Sequence, residues 1–264
     1  MSPQTVSPLT ALGRSVLQKV TRLLPFNHNG LRILMWHSVG LNHADRSTVD
    51  VQRLDRQLRW LRDNDYNVLS FSEVLRRHSA GQPLPPRSVV LTFDDACASF
   101  PRLALPALMR AGFSATLLVP VAAVTGPNSA QPGLQGHMSI DDIDKLPESI
   151  DVGLHSYEHR DYRQLSAAEI RADVRSCSTL AARLRRRLLP VFAYPFGGVP
   201  RNQALAGHAR DALTRCGVQM AMRIGYGINR WPFSDPWRLK RIAVHGTDSM
   251  FRFACKLSYG RVRL

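Results

Sequence analysis

The stretch Val89-Val90-Leu91-Thr92-Phe93-Asp94-Asp95 decides how this 264-residue chain is read. A short apolar run of that length is a buried strand. It ends on two adjacent carboxylates, followed by the small residues Ala96, Cys97, Ala98 and Ser99. In folds built on parallel strands, ligands gather at the strands' carboxyl ends. Two neighbouring acids at such a place need a cation, a shared proton or water. Two readings are open at this point: a solvated strand-to-helix turn in which an Asp caps the next helix, or the edge of a site.

The flanking sequence supplies the frame. Upstream, 31–36 reads as a strand ending before His37, 51–62 as a helix with Leu54, Leu58 and Leu61 on one face, and 66–69 as the next strand. Downstream, strands are expected over 115–119, 150–154, 191–194, 218–223 and 239–244. Helices fall over 103–111, 141–146, 166–189 and 203–216, with a last one from about 249. Ser166 and Glu169 form a capping box at the start of the third. Strand and helix alternate, and the connections are too long for hairpins. That pattern argues for an α/β domain with a parallel sheet or a (β/α) barrel. The stretch 126–136, rich in Gly, Pro and Asn, is a candidate lid.

Residues 1–29 stand apart as an N-terminal extension to a main domain, 30–264. Leu9, Leu12, Val16, Val20 and Leu23 make an apolar stripe, with Arg14, Gln18, Lys19 and Arg22 on the other face. This is a basic amphipathic helix, packed on the main domain or lying on an anionic membrane surface.

With 35 Lys and Arg against 20 Asp and Glu, the net charge is +15. Nucleic acid, an anionic membrane or an acidic substrate can each exploit such a charge. The arginines fall along expected helix faces, and no aromatic-interleaved basic motif is present, so no specific nucleic-acid partner is expected. Cys97, Cys177, Cys216 and Cys255 form no CxxC pair and read as reduced thiols. No apolar stretch is long enough to span a bilayer, and no secretory signal pattern opens the chain. The expected location is the cytoplasm, including the inner face of the membrane.

His155 and His159 also follow an expected strand end. On a helical turn, residues four apart share a face, close enough to share a metal. Two imidazoles and one carboxylate, with coordination positions left open, form a catalytic site for Zn²⁺ or a similar ion. The second Asp is then free for proton work, an arrangement suited to hydrolysis. Ordinary surface histidines are the alternative.

Thr92-Phe93-Asp94-Asp95, His155-Ser156-Tyr157-Glu158-His159 and Tyr194-Pro195-Phe196-Gly197 together resemble, in order and interval, the first three motifs of the polysaccharide deacetylases. This is the NodB-homology or carbohydrate esterase family four group, and the resemblance spans about residues 31–245. It implies a distorted (β/α) barrel and metal-dependent removal of acetyl groups, most often N-acetyl, from an amino-sugar-containing glycan or its precursor. It further implies Asp94 as general base and Asp95, His155 and His159 as metal ligands, with Zn²⁺ expected and Co²⁺ or Ni²⁺ as alternatives. The Phe196 N–H would donate to the oxyanion.

Leu34-Met35-Trp36-His37 resembles the Leu-Met-Tyr-His segment of the poly-N-acetylglucosamine deacetylase branch, which points to His37 as general acid. His245, at the end of the 239–244 strand, is the alternative. Ala193 stands where the common motif has an Arg, so whatever orients Asp94 must come from elsewhere; Ala96 stands where a Gly is usual. Asp235-Pro236-Trp237 is a candidate pocket wall or an ordinary buried aromatic stretch. With an acetylated sugar on a nucleotide or lipid carrier as the expected partner, the positive charge would suit phosphate or anionic lipid. The competing expectation, motivated by Ala193, is a weak or inactive carbohydrate-binding or scaffold protein on the same fold, peripheral to the membrane.

Overall fold

The computed structural model describes residues 30–41, 44–126 and 136–261. In chain order the strands are β1 (Arg32–Trp36), β2 (Ser38–Gly40), β3 (Thr48–Asp50), β4 (Asn67–Val68), β5 (Ser88–Phe93), β6 (Ala115–Val119), β7 (Ile150–Leu154), β8 (Val191–Ala193), β9 (Met220–Ile224) and β10 (Leu239–Ala243). The helices are α1 (Val51–Asp63), α2 (Phe71–Ser79), α3 (Leu105–Ala111), α4 (Val121–Thr125), α5 (Ile140–Asp144), α6 (Ala167–Ser176), α7 (Ser178–Arg183), α8 (Gln203–Arg215) and α9 (Met250–Tyr259).

Seven strands, β1 and β5 to β10, pair in parallel around a closed ring. Leu34 closes it, opposite Leu91 of β5 on one side and Ile242 of β10 on the other. β4 lies outside the ring against the start of β5, and β2 and β3 form a separate parallel ribbon. Side chains alternate across the pleat, so each strand feeds two cores. Leu34, Trp36, Leu91, Phe93, Leu117, Val152, Phe192 and Ile242 pack outward under the helices. Ile33, Val90, Leu118, Val191, Met220, Met222 and Leu239 fill the interior.

Helix α2 plugs the amino end of the barrel with Phe71, Val74 and Leu75. It is fastened there by Asp151 of β7, whose carboxylate accepts from Ser72 N at 3.0 Å. With that end closed, a ligand has the carboxyl-end mouth to enter.

The expected helix over 166–189 is broken. Its capping box forms, but α6 stops at Ser176, α7 at Arg183, and the rest is extended. Tertiary hydrogen bonds outweigh helix propensity here: Arg185 N donates to Asp144 Oδ1 at 3.0 Å and Leu189 N to Val152 O at 2.7 Å. The Arg186 guanidinium donates to the carbonyls of Ile143 and Leu146. The ribbon of β2 and β3 was not foreseen; three-residue strands carry too little periodicity to be seen. The four cysteines are free thiols. No helix among the described residues is long and apolar enough to cross a membrane. The 9–24 helix and most of the 126–136 lid lie outside the described residues.

Candidate active site

The alternation that packs Val90 inside the barrel carries on past the end of β5 to Asp94, which is 1 % exposed. The same alternation turns His155 inward beyond β7 and Arg241 inward from β10. Arg241 Nη1 donates to Asp94 Oδ1 at 2.6 Å, with both side chains buried. The other oxygen, Oδ2, stands 3.6 Å from His155 Nε2 and 4.0 Å from His37 Nε2. Burial opposes the charge on Asp94, but Arg241, then His155 and His37, outweigh it and hold the carboxyl below its usual range.

After Asp94 the backbone turns left-handed, with φ of 68° at Asp95 and 47° at Ala96. This swings the Asp95 carboxylate toward the histidines. The His137 ring buttresses the turn, with Nδ1 2.6 Å from the Asp95 carbonyl. A usual Gly at position 96 takes such a φ without strain, whereas Ala96 is held in it by its buried neighbours.

Asp95 Oδ1 stands 3.3 Å from His159 Nε2 and 3.6 Å from His155 Nε2. One ligand atom from each of these three residues lies within 4.8 Å of the others. His155 Nδ1 is 2.8 Å from the Ala193 carbonyl, so that nitrogen carries the proton and Nε2 turns its lone pair into the cluster. Burial lowers the His155 pKa against the pull of Asp94 and Asp95, favouring the neutral ring that a ligand must be. At His159 burial also opposes protonation, but Asp95 prevails and the pKa rises. Asp95 is pressed the opposite way, burial being outweighed by His159, His155 and His37, and stays ionised. Its Oδ1 is buried yet accepts no hydrogen bond among the described residues. An unsatisfied anionic oxygen facing two imidazole nitrogens fits a divalent cation.

The two histidines do not meet on a helical turn, as their spacing had led us to expect. Residues 155–159 are irregular, with φ of 65° at Ser156 and 58° at His159. Asp173, buried on α6, shapes them: its carboxylate accepts from Tyr157 N and Glu158 N at 3.0 Å each and from Tyr162 Oη at 2.7 Å. Ser156 Oγ accepts from His159 N at 2.9 Å. Sequence reasoning missed Asp173, although an acid among Ile170 and Val174 on an apolar helix face was a signal. It also missed Arg241, although an Arg two residues from Leu239 on an inward-facing register demanded a buried acid.

His37 faces Asp94 from the end of β1. His245 lies nearby at the end of β10; burial and Lys256 lower its pKa, and its backbone N–H donates to Asp248 Oδ2 at 2.9 Å. Phe196 is left-handed, φ 55°, and its ring meets His159 edge-on at 4.8 Å. A Cβ on the next residue, Gly197, would lie 2.7 Å from Ile224 N, so only Gly fits where this turn crosses β9. Trp237 is not at the mouth. Its ring lies 5.3 Å from the Arg210 guanidinium, and the neighbouring Pro236 carbonyl is bonded to Ala221 in the first half of β9.

The family model described as polysaccharide deacetylase matches residues 81–221, more than half of the chain. The chain belongs to the polysaccharide deacetylase family. The matched residues contain Asp94, Asp95, His155, His159 and Phe196, while His37 and Arg241 lie outside them. A poly-beta-1,6-N-acetyl-D-glucosamine N-deacetylase of Escherichia coli K12 is 40% identical over 86 residues, which are 32% of this chain and 13% of that protein. The chain thus aligns with a small part of that relative.

Among solved structures, IcaB from Ammonifex degensii is similar with a TM-score of 0.69 at 22% identity, over 87% of this chain and 97% of that one. The Streptococcus pyogenes deacetylase PplD in complex with acetate also has a TM-score of 0.69 at 22% identity, over 83% and 94%. At that identity they share the deacetylase barrel.

Proposed function

We propose that this chain is a metal-dependent hydrolase that removes acetyl groups, most of all N-acetyl, from an amino-sugar-containing glycan or glycan precursor. The observation that carries the reading is Asp94, ionised and clamped by Arg241, beside the three-ligand cluster of Asp95, His155 and His159. These three would hold a divalent cation, Zn²⁺ first with Co²⁺ or Ni²⁺ as alternatives, and such an ion supplies a polarised acetyl carbonyl and an activated water.

The protein's own groups do the rest. Arg241 occupies Asp94 Oδ1 and leaves Oδ2 to take the proton of the attacking water. The Phe196 N–H donates to the oxyanion, a contact worth about 3 kcal/mol in the barrier when rigidly placed. His37, 4.0 Å from Asp94 Oδ2, delivers a proton to the amine nitrogen as its bond to the acetyl carbon breaks. Acetate and the free amine leave.

Two lines support the substrate class: the family, and the 40% identity to a poly-N-acetylglucosamine deacetylase over its short span. A carrier bearing phosphate, nucleotide or lipid, suits the +15 charge. The competing scaffold reading rested on the missing Arg at Ala193, and Arg241 now fills that need from another strand.

The test is acetate release from N-acetylglucosamine oligomers. Turnover should vanish with chelator and return with Zn²⁺ or Co²⁺. Asp94→Asn should lose nearly all turnover while retaining its metal. A metal-loaded wild type that releases no acetate from any amino-sugar substrate would sink the reading.

A further inference from the structure

Five large apolar side chains stand out from the described surface: Leu41 (56 % exposed), Met109, Phe196 (58 %), Tyr226 and Phe251 (48 %). Scattered exposed apolar residues are ordinary. Their placement here is not. Apart from Met109 in α3, all lie on connections leaving the carboxyl ends of strands. Leu41 directly follows β2, Phe196 and Tyr226 follow β8 and β9, and Phe251 opens α9 after β10. β8, β9, β10 and β1 are consecutive in the ring. Leu41, Phe196 and Phe251 therefore stand in an arc, on loops around the mouth that holds Asp94 and the ligand cluster, whereas the loop carrying Tyr226 turns back along β10, where Asn229 pairs with Leu31.

Two of the supporting loops are locked together. Gly246, after β10, lies so close to the carbonyls of Asp45 and Thr48 that no Cβ fits. The arc is also basic. Arg46 and Arg201 are exposed on the same loops. Arg252, beside Phe251, is 47 % exposed, and its carboxylate partner Asp248 is buried.

We propose that this arc docks on an anionic phospholipid bilayer. Leu41, Phe196 and Phe251 enter the headgroup boundary, and Arg46, Arg201 and Arg252 meet lipid phosphates. Charge complementarity selects this occupant. A neutral glycan offers the arginines nothing to neutralise, and Leu41 has no ring face for a sugar. The docked mouth would open toward the lipid, where a lipid-linked or membrane-held glycan is presented. That consequence rests on the deacetylase reading above; the lipid contact does not.

The experiment is co-sedimentation of the full chain with phosphatidylcholine vesicles, with and without phosphatidylglycerol. Wild type should bind the anionic vesicles, less so as salt rises. The double variant L41S/F251S should bind at least about tenfold more weakly, and R46E should lose the preference for phosphatidylglycerol. Turnover of a soluble N-acetylglucosamine oligomer and the melting temperature should stay at wild-type values in both variants. Three results would overturn the proposal: wild type that ignores anionic vesicles, L41S/F251S that binds like wild type, or a loss of soluble turnover that parallels the loss of binding. The last would assign the arc to the glycan. If wild type turns over no oligomer, the deacetylase reading fails while the vesicle arms remain readable.

Discussion

Replacing Arg241 by Met removes the one full positive charge bonded to Asp94 among the described residues and leaves a carboxylate that is 1 % exposed. Taking one partner from a buried ion pair costs about 3–5 kcal/mol, because the remaining charge is buried without compensation. For a domain of this size that lowers Tm by roughly 10 °C. The sign of the pH effect follows from the directions of shift. In the wild type the Asp94 pKa is lowered, so its contribution to stability is complete above the unfolded carboxyl range and is lost as pH falls through the folded value. Without Arg241, burial prevails and the pKa rises. Asp94 then takes up a proton at a higher pH, and the acid limb of the rate profile moves up.

Asp94 is not among the three ligands, so metal affinity should stay close to wild type. Adding Asp94→Asn removes the orphaned charge, and the double variant should recover part of the lost stability, making the two substitutions non-additive. Thermal melts, a metal titration and the pH dependence of acetate release on the three variants make the assay. An R241M protein that melts with the wild type and keeps its acid limb would refute the reasoning.

Asp173→Asn leaves one carbonyl oxygen to serve three donors, Tyr157 N, Glu158 N and Tyr162 Oη, so the 155–159 turn loosens. Metal affinity should fall about 10- to 100-fold, read by Co²⁺ absorbance, beyond what the change in melting temperature explains. His37→Gln should cut turnover by about 10²-fold or more at unchanged metal affinity, and His245→Gln by far less; the reverse order would make His245 the acid. Protons compete with the metal for His159, whose pKa Asp95 raises against burial, so the apparent affinity should begin to fall at a higher pH than an ordinary histidine would give. A titration at several pH values checks this, and an affinity flat down to pH near 5 would contradict it.

What the sequence determined by itself was local. Apolar runs of strand length ending on Asp94-Asp95, His155 and Tyr194-Pro195 marked both the barrel staves and the places where chemistry gathers, because the period of a strand and the residues at its end are written within a few positions. That Asp94, Asp95, His155 and His159 come together was legible for the same reason: residues at parallel strand ends share one face. What only the tertiary structure decided is pairing across distance. Arg241 meets Asp94 across 147 positions, Asp173 shapes a turn that spacing alone had made a helix, and Arg185, Arg186 and Leu189 leave a helical pattern to bond β7 and the stretch before it. Each of these depends on strand register and on which faces close against one another. Burial then multiplies their strength, since a charge removed from water must be met by whichever partner the closed ring brings to it.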